Sequence, residues 1–160
     1  SYDHALGLTE TAINSENDYE ISFTGNNASG YCSTVFAANL KIIWKTRVYL
    51  AAQIPPRSCT YKITSAHEQK HVAVDRAMRK KIAAWMRKAL ATVTRRGYSA
   101  PTQAESQALL RKTMSVVTQK ALDAFEADLA ARQLKIDTPE EYDRLGRICG
   151  DAEVQRILRG

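Results

Sequence analysis

The sequence predicts an α+β fold in one domain of 160 residues: a small antiparallel or mixed sheet packed on a long antiparallel helix hairpin. Two patterns carry this. Between Lys41 and Leu50, Ile42, Trp44, Thr46, Val48 and Leu50 alternate with Lys41, Ile43, Lys45, Arg47 and Tyr49. A two-residue period of this kind wets one face of a strand and buries the other. Later, two stretches free of Pro and Gly, Ala66 to Arg96 and Thr102 to Leu134, repeat apolar residues in steps of three and four, as an amphipathic helix does.

Residues 1–38 form a polar segment rich in Asn, Ser, Thr and Gly, with a short strand expected over Asp18–Thr24 and a turn at Asn26–Gly30. The sheet is expected in 39–64. Pro55 and Pro56 end its main strand, and the β-prone run Thr60–Thr64 supplies the next. Thr64 or Ser65 then caps the first long helix, whose inner face is Val74, Met78, Ile82, Trp85, Ala89 and Val93, and Gly97 ends it. Thr102 and Glu105 have capping-box spacing for the second helix, with inner residues Leu110, Met114, Val117, Ala121, Phe125 and Leu129. The helix hairpin therefore spans 65–134. A C-terminal helical segment, 138–160, opens at Asp137-Thr138-Pro139 with Glu141 three positions past Thr138. Gly146 and Gly150 interrupt it, and a last short helix is expected over 151–158.

Composition narrows the function classes. Hydrophobic residues make up 44% and charged residues 25% of the chain, proportions of an ordinary globular domain. No apolar run is long enough to span a bilayer, so no membrane span is expected. The net charge of +6 allows a polyanionic partner. Between residues 70 and 96, Lys70, Arg76, Arg79, Lys80, Lys81, Arg87, Lys88, Arg95 and Arg96 accompany one acid, Asp75. On a helical wheel these cations spread over a broad outer arc without interleaved aromatics, as a solvated face does. Nucleic acid is therefore the lesser expectation. The three cysteines, Cys32, Cys59 and Cys149, make no CxxC pair and hence no cysteine zinc site. Cys32 with Cys59, which bracket the expected sheet, is the preferred disulfide, and three reduced buried thiols are the alternative.

Residues 67–71 read His-Glu-Gln-Lys-His. On a helix His67 and His71 lie one turn apart on one face, so both imidazoles can reach one metal ion. Zinc accepts neutral imidazole and in catalytic sites leaves a position to water. Glu68, beside the pair, is placed to take a proton from that water and deliver it to a leaving amine. Two of the chain's three histidines fall in this pattern, on the side of the helix that carries Met78, Ile82 and Trp85.

A third protein ligand is needed. If the two long helices turn back on each other as their caps suggest, Asp128 falls opposite His71 within an apolar face, where a carboxylate is costly unless paired or metal-bound. Glu126, near the edge of that face, is the alternative. Asp75, one turn beyond His71, is expected to orient a ligand or to pair with Arg132. Tyr142, Tyr61 and His4 are candidates to stabilise the transition state, with Tyr142 preferred.

The segment from about Tyr61 to Gln155 resembles a family of predicted secreted bacterial zinc-dependent proteases. The resemblance rests on His67-Glu68-Gln69-Lys70-His71-Val72 and on the later Glu141-Tyr142-Asp143-Arg144 with Gly150 and Gln155. The family often has a His-Gly pair where this chain has Cys149-Gly150. The resemblance implies a zincin-like core, zinc on His67 and His71, Glu68 as catalytic residue, and export, secreted or periplasmic. The expected function is thus a zinc-dependent hydrolase, a peptidase acting on a peptide or protein substrate. The alternatives are a noncatalytic metal-containing binding module or a basic helical polyanion-binding protein.

Overall fold

A computed structural model of the chain describes residues 6–150, 153 and 155–157. Its fold is α+β. Two long strands, β1 (Gly7–Asn26) and β2 (Gly30–Leu50), form a hairpin, and a short β3 (Tyr98–Ala100) completes a three-stranded antiparallel sheet in the order β1-β2-β3. The helices are α1 (Cys59–Arg79), α2 (Ile82–Thr94), α3 (Gln103–Gln133) and α4 (Pro139–Cys149). Among the described residues, no helix is long and apolar enough to cross a membrane.

The chain divides into two compact units. One comprises 13–43 and 80–127. Its core is Leu90 and Val93 of α2 against Leu110 and Met114 of α3, with Tyr19, Ile21, Val35 and Leu40 of the sheet packed on them. The expected arrangement of sheet on antiparallel helix hairpin is realised here, by α2 and α3. Trp85 closes the far end of the pair, donating its indole N–H to the Ala121 carbonyl (2.9 Å) and meeting the Phe125 ring edge-on. Cys32 in β2 is a free thiol.

The other unit comprises 1–12, 44–79 and 128–160. It contains the ends of the β-hairpin, α1, the last turn of α3, and α4. Helix α1 begins at Cys59, so the run Thr60–Thr64 is helical and not the expected strand. Local capping overrides its β propensity. Ser58 accepts from the Tyr61 N–H (3.0 Å), and the Glu153 carboxylate accepts from both the N–H and the hydroxyl of Thr60 (2.9 and 2.8 Å). A carboxylate at a helix N-terminus is favoured by the exposed N–H groups there, and those two bonds hold Glu153 below its ordinary pKa.

Several boundaries differ from the sequence reading. The polar segment 1–38 is mostly strand: β1 runs far past the expected Asp18–Thr24, and β2 begins at Gly30. The expected turn between them is present, with Gly25 and Gly30 at positive φ and Asn26 Oδ1 accepting from the N–H groups of Ala28 and Ser29. The single helix expected from 66 to 96 is two helices, interrupted at Lys80-Lys81. Neither Pro, Gly nor a side-chain cap marks that break. The caps of α3 and α4 stand as read: Thr102 and Glu105 satisfy each other's N–H groups, and Thr138 accepts from the Glu141 N–H. The last helix, expected over 151–158, falls partly outside the described residues, of which 153 and 155–157 are helical.

The disulfide joins Cys59 to Cys149, not Cys32 to Cys59. With 60–64 helical, Cys59 is the first residue of α1 rather than the edge of a strand, and its Cα lies 5.6 Å from that of Cys149, the last residue of α4. The bridge closes a loop with a sequence separation of 90. It ties down a helix that buries none of its residues fully. Replacing both cysteines, Cys59→Ala with Cys149→Ala, is expected to lower stability by about 2–4 kcal/mol, read as a shifted denaturant midpoint. Under native oxidising conditions a thiol reagent should modify one cysteine, Cys32.

Candidate metal centre

Helix α1 buries Thr60, Thr64, His67, Glu68, His71, Asp75 and Met78, and only Met78 is apolar. A polar inner face is stable only if each group finds a partner. The two imidazoles are 4% and 6% exposed. Their Nε2 atoms face each other at 3.3 Å, and both meet one carboxylate oxygen, Asp137 Oδ1, at 3.0 Å from His67 and 3.1 Å from His71. Asp137 sits just before Thr138, the N-cap of α4.

The opposite edge of each ring is also engaged. His67 Nδ1 faces Glu141 Oε1 (3.5 Å) and His71 Nδ1 faces Gln133 Oε1 (2.7 Å). Both partners are acceptors, as is Asp137 Oδ1 on the Nε2 side. With the hydrogens on Nδ1, both Nε2 lone pairs point toward Asp137. In that tautomer three electron-pair donors converge within 3.0–3.3 Å of one another, the arrangement a metal ion needs. Tetrahedral zinc with ligands at about 2.0–2.2 Å separates its donors by about 3.3–3.5 Å. Among the described residues, His67, His71 and Asp137 are the group whose geometry can hold a metal ion. The Asp137 side chain is 32% exposed, so water has access on that side.

Asp137, and neither of the carboxylates singled out as third ligand, is the one that meets both imidazoles. Asp128 pairs with Arg132 one turn along α3 (3.1 Å), and Glu126 is exposed. The cause is register. Gln133, and not Asp128, stands opposite His71, a slip of more than one helical turn from the pairing that the caps suggested. Asp75 likewise does not meet Arg132. It accepts from the hydroxyls of Thr11 and Thr46 and from Gln133 Nε2, and Gln133 links it to His71. In the sequence, Asp137 reads only as the start of a helix. Its signal was position: an acid just outside a capped helix whose first turns carry Glu141 and Tyr142.

Glu68 is 3% exposed and accepts from the Thr9 hydroxyl (2.6 Å). Strand β1 passes so close that a Cβ on Gly7 would lie 2.5 Å from Glu68 Oε1, so a larger residue there would have to displace the Glu68 side chain. Glu141 is held well below the usual carboxylate range, first by Arg144 (2.8 Å) and then by Lys70. It thus stays anionic beside His67. The Tyr142 hydroxyl donates to Asp137 Oδ1 (3.0 Å). Burial, that hydrogen bond, and the charges of Asp137 and Glu68 push the phenol up to about 12, so it keeps its hydrogen at neutral pH. Tyr61 lies 36% exposed in the first turn of α1, and His4 lies outside the described residues.

Asp137→Asn is expected to weaken zinc binding by more than about 100-fold, beyond the usual effect of losing a supporting hydrogen bond. Asp128→Asn should leave it unchanged. Competition with a chromogenic chelator measures both. No family model matches this chain, nor does any curated protein or solved structure.

Proposed function

We propose that the protein is a zinc-dependent peptidase, exported to the periplasm or secreted, with His67, His71 and Asp137 as metal ligands and Glu68 as general base. The observation that supports this most is the convergence of two imidazole Nε2 atoms and a carboxylate oxygen on one point, beside a buried Glu that follows the first His. Zinc bound there supplies a Lewis acid that polarises a carbonyl and brings the pKa of water toward neutrality. Glu68 takes the proton of the attacking water and passes it to the leaving amine nitrogen. Thr9 holds one oxygen of that carboxylate. Tyr142, kept neutral, offers a hydrogen-bond donor to the oxygen that gains charge in the tetrahedral intermediate once its hydroxyl turns away from Asp137 Oδ1. An extended peptide suits the site, because β1, an edge strand, carries Thr9 against Glu68 and can accept another strand. The Cys59–Cys149 disulfide agrees with an oxidising location.

Glu68→Gln keeps shape and ligands but removes the base. It should lower kcat/KM on a peptide library by about 10²–10⁴-fold while zinc content stays at about one ion per chain. A wild-type protein that holds zinc but cleaves nothing would instead be a metal-containing binding module, and a Glu68→Gln variant of full activity would refute the mechanism.

A further inference from the structure

Asp75 is 2% exposed, and among the described residues none of its hydrogen-bond partners, Thr11, Thr46 and Gln133, carries a charge. A carboxylate so placed is costly to hold, and its hydrogen bonds fix the orientation of a neighbour. Gln133, the last residue of α3, is that neighbour. Its Nε2 donates to Asp75 Oδ1 (2.8 Å) and to the His71 carbonyl (3.2 Å), and its Oε1 faces His71 Nδ1 (2.7 Å).

We propose that Asp75 and Gln133 are a positioning pair that locks the hydrogen of His71 on Nδ1 and so keeps its Nε2 available to a divalent cation. This rests on the metal reading of the site. Donors and acceptors decide the orientation. An amide can point either way, and its direction is settled by its surroundings. Turning Gln133 over would set its oxygen against the Asp75 carboxylate and the His71 carbonyl, both acceptors. The amide oxygen therefore faces the ring at 2.7 Å, a closer acceptor for the single ring hydrogen than Asp137 Oδ1 at 3.1 Å. Without the lock, His71 has another choice: Nε2–H donating to Asp137 Oδ1, which is already 3.1 Å away. That tautomer blocks the site with a hydrogen. The pair thus acts through His71 and touches no reacting atom.

Two measurements test this. Long-range proton–nitrogen NMR on the zinc-free protein, at a pH where His71 is neutral, should show hydrogen on Nδ1 in the wild type. In Gln133→Leu it should show a substantial fraction of hydrogen on Nε2. Zinc affinity by chelator competition should fall about 10–100-fold in Gln133→Leu. Gln133→Met matches the glutamine in length and volume and removes only the amide, so it should reproduce both effects. A side chain that only packs would leave Gln133→Met with the wild-type tautomer and affinity. Unchanged tautomer and affinity in these two variants overturns the proposal. A wild type that fails to bind zinc defeats the metal reading instead, and the NMR result still decides the lock.

Discussion

An α-helix that turns Thr60, Thr64, His67, Glu68, His71 and Asp75 inward must be answered by polar partners, since each buried group left unpaired costs about 1–3 kcal/mol. That demand organises the unit around α1. Thr9 and Thr11 of β1 answer Glu68 and Asp75. Thr46 of β2 and Gln133 of α3 also meet Asp75, and Glu153 meets Thr60. The two imidazoles are answered by Asp137 and Glu141 at the start of α4, and by Gln133. Apolar burial contributes little to this face, with Met78 its only apolar member.

Helix α4 follows the same logic. It buries none of its residues fully, yet the turn before it and its first turn hold Asp137, Glu141 and Tyr142 over the imidazoles. Its attachment is polar and covalent: the Lys70–Glu141 ion pair, the contacts of Asp137, and the disulfide at its far end. A ligand supplied by such an element is only as well placed as the element is. If the three donors hold a cation as proposed, its affinity and the fastening of α4 are coupled, and coupling of this kind is reciprocal. A cation bound by all three donors would tighten α4 on α1, and the disulfide would lower the entropy that binding must overcome.

Much of this was legible from residue order, and the remainder was hidden for identifiable reasons. The strand over 41–50 and the caps at Thr102 and Thr138 are local signals, and they hold, although the expected burial of one strand face does not: residues 45–49 are all exposed. The shared face of His67 and His71 follows from one-turn spacing on a helix, and Met78 on that same face marks it as inward. Asp137 was out of reach because finding the third donor required a helix register. That register assumes one straight helix from 66 to 96, whereas the chain interrupts it at Lys80-Lys81 without Pro or Gly. The true cysteine pair was hidden by Thr60–Thr64. Its β propensity is real, and the caps that overrule it come from Ser58 and from the distant Glu153.

The central claim is that one divalent ion sits among His67 Nε2, His71 Nε2 and Asp137 Oδ1. Anomalous diffraction at the zinc edge from crystals of the zinc-loaded protein tests it directly. The expected result is a single strong peak at about 2.0–2.2 Å from each of the three atoms, with a remaining position open to solvent. A peak elsewhere, or no peak at these residues while the protein retains zinc, would contradict it.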